Sequence, residues 1–200
     1  MKNSLIILGW FGAGILVGLL SLLPEIPTLS HAALYMVYLL VLLVGVGIGG
    51  DAKSWQALKA TNIKIVLVPL SVIVGTLAGV GLVSFLLPTI GLRDSLAVGA
   101  GFGYYSLSSV LISQARGETL GVVALLSNLI REIATPLLAP ILVSLFGKLA
   151  PIACGGATAM DSTLPVIIKS AGKEYAMVSL FSGIVISIAV PVLITLILTA

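Results

Sequence analysis

Long apolar runs separated by short polar stretches make up most of the chain. A helix needs about 20 predominantly apolar residues to cross roughly 30 Å of hydrocarbon. Seven runs have this character, at residues 4–23, 32–50, 65–87, 96–113, 120–146, 152–168 and 177–198. The pattern predicts a polytopic bundle of about seven hydrophobic helical segments.

The composition places the whole chain in a lipid bilayer. Of its 200 residues, 59% are hydrophobic and 8% are charged, and the mean hydropathy is +1.25. A soluble domain carries about 25% charged residues, so a soluble enzyme, a nucleic-acid-binding protein and a disordered tail are excluded as interpretations of the whole chain. The net charge of +3 is too small to indicate nucleic acid. We expect an all-α integral membrane protein with a single transmembrane domain over residues 1–200.

Glycine and proline are frequent, at 22 and 9 residues. Such frequencies are typical of membrane helices that pack closely or break. The sixth segment is short, and it either crosses the membrane or dips into it and returns. The chain therefore has either seven crossings or five full spans accompanied by re-entrant or broken helices.

The placement of the basic residues predicts the orientation, because cytoplasmic loops are enriched in Lys and Arg. With seven crossings, one side receives seven basic residues and the other receives only Arg93 and Lys148. The seven are Lys2, Lys53, Lys59, Lys64, Arg116, Lys169 and Lys173. This split places the N-terminus in the cytoplasm and the C-terminus outside.

Three ionisable residues lie inside hydrophobic segments: Arg131, Glu132 and Asp161. Each costs roughly 2.5–3.5 kcal/mol on insertion scales. Asn128 and Glu132 share a helix face, whereas Arg131 and Glu132 point about 100° apart and do not pair only with each other. At least one of the two therefore needs another partner. The group is either a polar clasp that holds the bundle together or a polar face that lines a cavity.

The stretch at 154–165 has the composition of a broken helix. Gly155 and Gly156 permit a kink or a close approach, and Pro165 removes a backbone donor. Freed backbone groups at membrane depth are tolerated where they line a water-filled cavity. We interpret the stretch as a binding-site element with Asp161 as cation ligand or proton acceptor. The alternative is a loop between two shorter helices.

Small and hydroxyl residues also cluster at 99–109. Glycines at 99, 101 and 103 precede Tyr105, Ser106 and Ser108. The pattern indicates either a close-packed seam between helices or an unwound polar section. Together with Thr163, these hydroxyls are candidate binding groups.

Two intramembrane carboxylates beside broken helices favour transport of a polar or charged small solute over catalysis. Carboxylates bind ammonium groups and can also carry a coupling proton. The single cysteine, Cys154, and the single histidine, His31, have no partner at the spacing of a nucleophilic or metal motif. We therefore expect no enzyme activity, no catalytic residue, no cofactor and no metal.

Three motifs occur in order along the chain: FGYYSLS at 102–108, SNLIRE at 127–132 and GGATAMDSTLP at 155–165. With these motifs the chain resembles the bacterial lysine exporter LysO family, from about residue 35 to the C-terminus. The resemblance implies an inner-membrane exporter of L-lysine and of toxic lysine analogues, driven by proton exchange, with an outward C-terminus.

The resemblance also implies that intramembrane acidic residues are needed for export, and these match Asp161 and Glu132. Ala159 replaces the serine that the family usually has before Met-Asp. Longer members carry an additional hydrophobic N-terminal region. We therefore expect either a small membrane-protein partner or a homo-oligomer.

The hypothesis that follows is a secondary exporter in which Asp161 or Glu132 receives the ε-ammonium group of lysine. Arg131 or the N-terminus of a half-helix receives the α-carboxylate, and the hydroxyls of Tyr105, Ser106 and Thr163 complete the site. The alternatives are a channel or uptake carrier for another small solute, and an accessory membrane subunit without a solute pathway.

Overall fold

The computed structural model describes residues 63–87 and 89–199, together with four isolated positions. These four are exposed helical residues, Tyr35, Leu39, Leu42 and Val46. By its internal contacts the chain divides into two compact units, residues 1–38 and 39–200, and the described ranges 63–87 and 89–199 belong to the second. The first two predicted segments and His31 lie outside the described residues except for these positions, and the single transmembrane domain stays a prediction.

Every element in the described ranges is a helix, which confirms the all-α prediction. The α-helices are α1 (Ile63–Ser84), α2 (Leu92–Gly99), α3 (Tyr105–Arg116), α4 (Glu118–Phe146), α5 (Ala150–Gly155), α6 (Leu164–Ala171) and α7 (Ala176–Thr199). Two 3-10 helices, η1 (Gly156–Met160) and η2 (Lys173–Tyr175), precede α6 and α7.

Three described helices are long and apolar enough to cross a membrane, and they confirm the third, fifth and seventh predicted segments. The apolar stretches are Ile65–Ser84, Glu118–Phe146 and Lys173–Thr199. Helix α4 begins after Gly117 and ends at Gly147, both at positive φ, where glycine is not penalised. Pro136 and Pro140 lie inside α4 without ending it.

The fourth segment does not cross the membrane, so the prediction of a crossing at residues 96–113 is wrong. Helices α2 and α3 have 8 and 12 residues, too few to span about 30 Å at 1.5 Å per residue. An ion pair of 3.4 Å joins Arg116 Nε in the last turn of α3 to Asp94 Oδ1 in the first turn of α2. The chain reverses because Phe102 and Gly103 adopt positive φ angles of 46° and 92°. This first hairpin (residues 92–116) enters and leaves at the same end of the bundle, the Asp94 end.

The sixth segment is re-entrant as well, which resolves the choice left open by the sequence. Helices α5 and α6 have 6 and 8 residues, and η1 joins them through a turn. Lys148 Nζ, just before α5, lies 3.2 Å from Glu174 Oε1 and 5.5 Å from the ring centre of Tyr175, both just after α6. This second hairpin (residues 150–171) therefore enters and leaves at the opposite end, the Lys148 end.

The two hairpins meet inside the bundle. The backbone N–H of Ala157 in the second tip donates to the carbonyl of Phe102 in the first tip, at 3.0 Å. Both tips pack near the middle of α4. Because α1 ends and α4 begins at the Asp94 end, the chain repeats one unit twice in opposite orientations, a spanning helix followed by a hairpin. Inverted repeats with broken helices at the midplane are common in secondary transporters.

Helix α7 provides the surface against which both tips pack. It has the largest buried share of the three spanning helices. Ser179 Oγ donates to the carbonyl of Ala159 at 2.7 Å, and Gly183 leaves room for Met160. The core beside it contains Phe102, Leu107, Ile112, Ile186, Val190 and Ile194, all buried.

Candidate functional site

Asn128, at the centre of α4, binds the first hairpin. Its side-chain oxygen accepts from the backbone N–H of Gly103 at 2.7 Å. Its amide nitrogen donates to the carbonyl of Val98 at 3.1 Å and to Ser108 Oγ at 3.4 Å, as well as to Ala124 one turn earlier on α4. One buried amide thus joins both arms of the hairpin to its tip.

Arg131, one turn further along α4, binds the second hairpin. Its Nε donates to the carbonyl of Cys154 at 2.8 Å, and its Nη2 donates to the carbonyl of Ala153 at 3.0 Å and to Thr76 Oγ1 at 3.3 Å. These carbonyls belong to the last turn of α5, where they lack partners within the helix. A cation at a helix C-terminus is also favoured by the helix dipole. Arg131 therefore caps a half-helix inside the bundle.

This arrangement answers the question of partners raised by the sequence. The ion pairs within the described ranges are Arg116 with Asp94 and Lys148 with Glu174, so Arg131 and Glu132 do not form an ion pair with each other. Asn128 and Arg131 make the contacts expected of a clasp, which is one of the two alternatives, and they also line a cavity, which is the other. Glu132 lines a different cavity.

Glu132 lies in an open groove of about 390 Å³ on the outer surface of α4. Its Oε2 is buried and has no hydrogen-bond partner among the described residues. Tyr105, Ser162 and Thr163 line the groove beside it, and the apolar part of the wall is formed by Leu129, Ile133, Pro136 and Leu137. The structure thus brings together three of the predicted binding residues, namely Glu132, Tyr105 and Thr163.

Two half-helices begin at this groove. Tyr105 is the first residue of α3, and Thr163 precedes the first residue of α6. Helix N-termini carry a partial positive charge and favour anions. Pro165 lies in the first turn of α6, where its missing N–H costs nothing, so it starts a helix rather than breaking one. The first-turn N–H groups of α6 already donate to the carbonyls of Asp161 and Thr163, so the groove offers a carboxylate for a cation and the N-terminus of α3 for an anion.

Asp161 is exposed and lines a different, smaller cavity. This cavity has about 70 Å³ and is also lined by Tyr104, Thr158 and Ser187. Asp161 Oδ1 accepts from the backbone N–H of the next residue, Ser162, at 2.5 Å. The two predicted acidic residues therefore belong to neighbouring cavities rather than to one.

The remaining predicted residues have structural surroundings. Ser108 is buried against Asn128, whereas Ser106 is exposed and lines none of the cavities described above. Gly156 ends α5 at a positive φ of 60°, and a Cβ on Gly155 would lie 2.9 Å from Thr163 Oγ1. Both glycines thus allow the second tip to form.

Sequence reasoning missed Thr76, Thr135 and Thr158 as parts of these contacts. Thr135 Oγ1 donates to the carbonyl of Arg131 at 2.8 Å and lies 3.3 Å from Cys154 Sγ. Thr158 Oγ1 donates to the carbonyl of Gly155 at 2.9 Å, and the Thr158 carbonyl accepts from Thr163 Oγ1 at 3.0 Å. A threonine in an apolar run carries no distinct sequence signal, because its hydroxyl often bonds within its own helix.

A third cavity, of about 310 Å³, lies on the other side of the tips. Thr76, Val98, Ser127, Asn128 and Arg131 are part of its lining. It occupies the half of the bundle towards the Asp94 end, whereas Pro136 and Leu137 extend the Glu132 groove towards the Lys148 end. In the part of the chain that the structure describes, no group of three His, Cys, Asp or Glu side chains is placed to hold a metal ion.

Comparison with known proteins identifies the family. The family model described as lysine exporter LysO matches residues 8–198. The chain belongs to the lysine exporter LysO family. This family is a class of membrane transporters rather than of enzymes, and with the three apolar helices it supports an inner-membrane, multi-pass protein.

Two curated relatives agree with the family. Lysine exporter LysO of Escherichia coli (strain K12) is 31% identical over 192 residues, which are 96% of this chain and 63% of that protein. A relative from Haemophilus influenzae, whose name assigns it lysine export provisionally, is 31% identical over 160 residues, 80% of each chain. The chain thus spans less than two thirds of the length of the E. coli exporter. No solved structure matches it.

Proposed function

We propose that this chain is a secondary transporter that exports L-lysine, and toxic lysine analogues, across the inner membrane in exchange for protons. The observation that carries the proposal is the groove in which the buried, unpartnered Oε2 of Glu132 lies beside the N-termini of α3 and α6. Membership of the LysO family supports lysine as the substrate.

The groove matches the charges of lysine. Glu132 receives the ε-ammonium group in a charge-assisted hydrogen bond. The α-carboxylate binds towards the N-terminus of α3, because Arg131 already donates to the carbonyls of α5. Tyr105 and Thr163 supply hydroxyls, and the apolar wall accommodates the aliphatic part of the side chain.

Proton coupling requires a carboxylate that binds either the amine or a proton. Glu132 fills this role at the groove, and Asp161 provides a second proton-binding carboxylate in the neighbouring cavity. When a proton enters from outside and neutralises Glu132, the charge that holds the ammonium group is lost. Lysine is then released on that side.

The orientation follows from the basic residues and the two hairpins. Lys64, Lys148, Lys169 and Lys173 lie towards the Lys148 end, while Arg93 and Arg116 lie towards the Asp94 end. Compared with a chain that crosses the membrane seven times, Arg116 moves to the outer side and Lys148 moves to the cytoplasmic side. The split of basic residues between the two sides is therefore unchanged. By the positive-inside rule the Lys148 end is cytoplasmic and the C-terminus is outside.

A further part of this proposal is that another chain completes the transporter. The Glu132 groove is open on the outer surface of α4. Either a small membrane protein or a second copy of this chain covers it.

The test is resistance to a toxic lysine analogue in cells that lack their own lysine exporter. We expect protection by the wild-type chain and its loss in Glu132→Gln and Asp161→Asn, with equal amounts of each protein in the membrane. Ser144→Ala is the matched control, because Ser144 is an exposed residue of α4 that bonds only to the carbonyl of Ile141 in its own helix.

Full protection by both carboxamide variants would refute the proposal and favour an accessory subunit. Uptake rather than export of labelled lysine, in vesicles of defined orientation, would favour the alternative carrier. If the wild-type chain protects only together with a second membrane protein, the need for a partner is established.

A further inference from the structure

Asn128 and Arg131 contact different hairpins from adjacent turns of one helix. Asn128 bonds to Val98, Gly103 and Ser108 of the first hairpin. Arg131 bonds to Ala153 and Cys154 of the second. Each polar side chain thus attaches one hairpin to the middle of α4, where the two tips also bond to each other.

The contacts of Arg131 leave it poorly suited to bind a carboxylate. An arginine recognises a carboxylate through two parallel N–H bonds, and Nη2 belongs to both of the possible pairs. In this structure Nη2 donates to Ala153 and Thr76, and Nε donates to Cys154. A substrate carboxylate would have to displace the cap of α5, which would leave two buried carbonyls without partners.

The tips also separate two of the cavities. Arg131 is part of the lining of the 310 Å³ cavity towards the Asp94 end, and its neighbour Glu132 is part of the groove towards the Lys148 end. The carbonyls that Arg131 caps belong to the second hairpin, which contributes Ser162 and Thr163 to the groove. Arg131 therefore joins the lining of one cavity to the hairpin that lines the other.

We propose that Asn128 and Arg131 are positioning residues, one for each hairpin, and that Arg131 keeps the path through the tips closed by capping α5. Arg131 does not bind the α-carboxylate of the substrate. The proposal concerns the closed arrangement of the hairpins, and it deepens the proposed transport function by assigning the barrier that the solute must pass.

Cys154 is a built-in reporter of this barrier. It is the single cysteine of the 200-residue chain, its carbonyl accepts from Arg131 Nε, and its Sγ lies 3.3 Å from Thr135 Oγ1. Because Cys154 is half-buried, a change in its rate of reaction with a membrane-impermeant maleimide reports a change in the access of water to the second tip. The measurement uses the wild-type chain and requires no cysteine-free background.

We expect Arg131→Ala to raise the labelling rate of Cys154 by about tenfold or more, because hydrogen bonds to a charged donor are strong enough to shift an equilibrium by about that factor. Arg131→Lys gives an intermediate rate, since a lysine can still donate to helix-terminal carbonyls. Asn128→Ala leaves the rate within about twofold, because Asn128 holds the other hairpin. Ser144→Ala, at an exposed position of the same helix, also leaves it unchanged.

Transport kinetics separate positioning from binding. For Arg131→Lys we expect a lower maximal export rate with an apparent KM for lysine within about twofold of wild type, because the variant loses no ground-state contact with the substrate. An apparent KM at least about tenfold higher would show that Arg131 binds the carboxylate, and it would overturn the proposal.

Unchanged Cys154 labelling in both Arg131 variants would overturn it too, whatever the chain transports. Because labelling does not depend on transport, this failure is distinguishable from failure of the proposed lysine export. If Arg131→Ala is not recovered as folded protein, Arg131→Lys carries the same comparison against Ser144→Ala.

Discussion

The two hairpins have the same architecture but different tips. The first tip is sealed: Ala100 and Phe102 are 0% exposed, and the neutral amide of Asn128 holds the tip in place. The second tip carries polar groups at the surface, since Asp161 and Ser162 are exposed, and a charged guanidinium holds its first arm. A short 3-10 helix replaces a regular turn there.

This difference separates a structural element from a chemical one. The first hairpin provides a fixed, apolar contact against which the second tip closes. The second contributes Asp161 to one cavity and Thr163 to the groove of Glu132. In a pair of inverted units, the one whose tip is less completely buried is the better candidate for the moving part.

The largest loss of stability is expected from a substitution at Gly156, where the two tips touch. Gly156→Ala forces a side chain into a φ of +60° and places a Cβ against the carbonyl of Phe102. A positive φ outside the regions that other residues populate costs about 1–3 kcal/mol, and loss of the bond from Ala157 to Phe102 adds roughly 1 kcal/mol. We expect the folded protein in detergent to melt at a much lower temperature.

The matched control is Gly147→Ala, because Gly147 also has a positive φ, of 87°, but a Cβ there meets nothing within 4 Å. The Gly147→Ala variant should be destabilised only by the cost of a positive φ. Equal melting temperatures for the two variants would contradict the contact between the tips.

A smaller effect is expected at the first tip. A Cβ on Gly101 would lie 2.5 Å from the amide nitrogen of Asn128, so Gly101→Ala displaces a side chain rather than a backbone carbonyl. Disrupting the buried bonds of Asn128 costs about 1–3 kcal/mol. Thermal melting should show a loss between those of Gly147→Ala and Gly156→Ala. Gly79→Ala, in open space on α1, controls for the added methyl group, and an equal loss there would exclude Asn128 as the cause.

The smallest effect on stability is expected where the arms of the first hairpin meet at the surface. Asp94 and Arg116 form an ion pair of 3.4 Å between side chains that are 32% and 37% exposed, and such pairs contribute at most about 1 kcal/mol. Replacing both with cysteine, together with Cys154→Ala, should barely change the melting temperature. A short bifunctional thiol reagent should nevertheless cross-link the two positions efficiently.

The same cross-link tests the topology. A spanning fourth segment would place residues 94 and 116 on opposite faces of the membrane, roughly 30 Å apart, and no short reagent would join them. The absence of a cross-link in folded protein would therefore restore the fourth crossing and remove the basis for two inverted hairpins.

The sequence was sufficient to predict the class of the protein and the described helices that span the membrane. Apolar length predicted three of the described helices, and the cost of buried charge pointed to Arg131 and Glu132. Length could not reveal that residues 96–113 turn back, since an apolar hairpin and an apolar span have the same composition. The evidence for the turn is a contact between Asp94 and Arg116, 22 positions apart.

The role of Arg131 was also beyond the sequence, for a different reason. Its partners are main-chain carbonyls of Ala153 and Cys154, and every residue except the last in a chain has such a carbonyl. Only the fold determines which carbonyls lack a partner within their own helix. A buried arginine that forms no ion pair with its acidic neighbour in the sequence is thus as consistent with a helix cap as with a ligand site.

The short arms of the hairpins impose an order on biogenesis. No arm is longer than the 12 residues of α3, so no arm can be inserted as an independent membrane helix, and the turn at each tip is not tolerated in contact with lipid. The spanning helices α1, α4 and α7 must be in the bilayer before a hairpin can enter between them. The two hairpins enter from opposite aqueous compartments, so the residues at the centre of this protein are the last to leave water during its assembly.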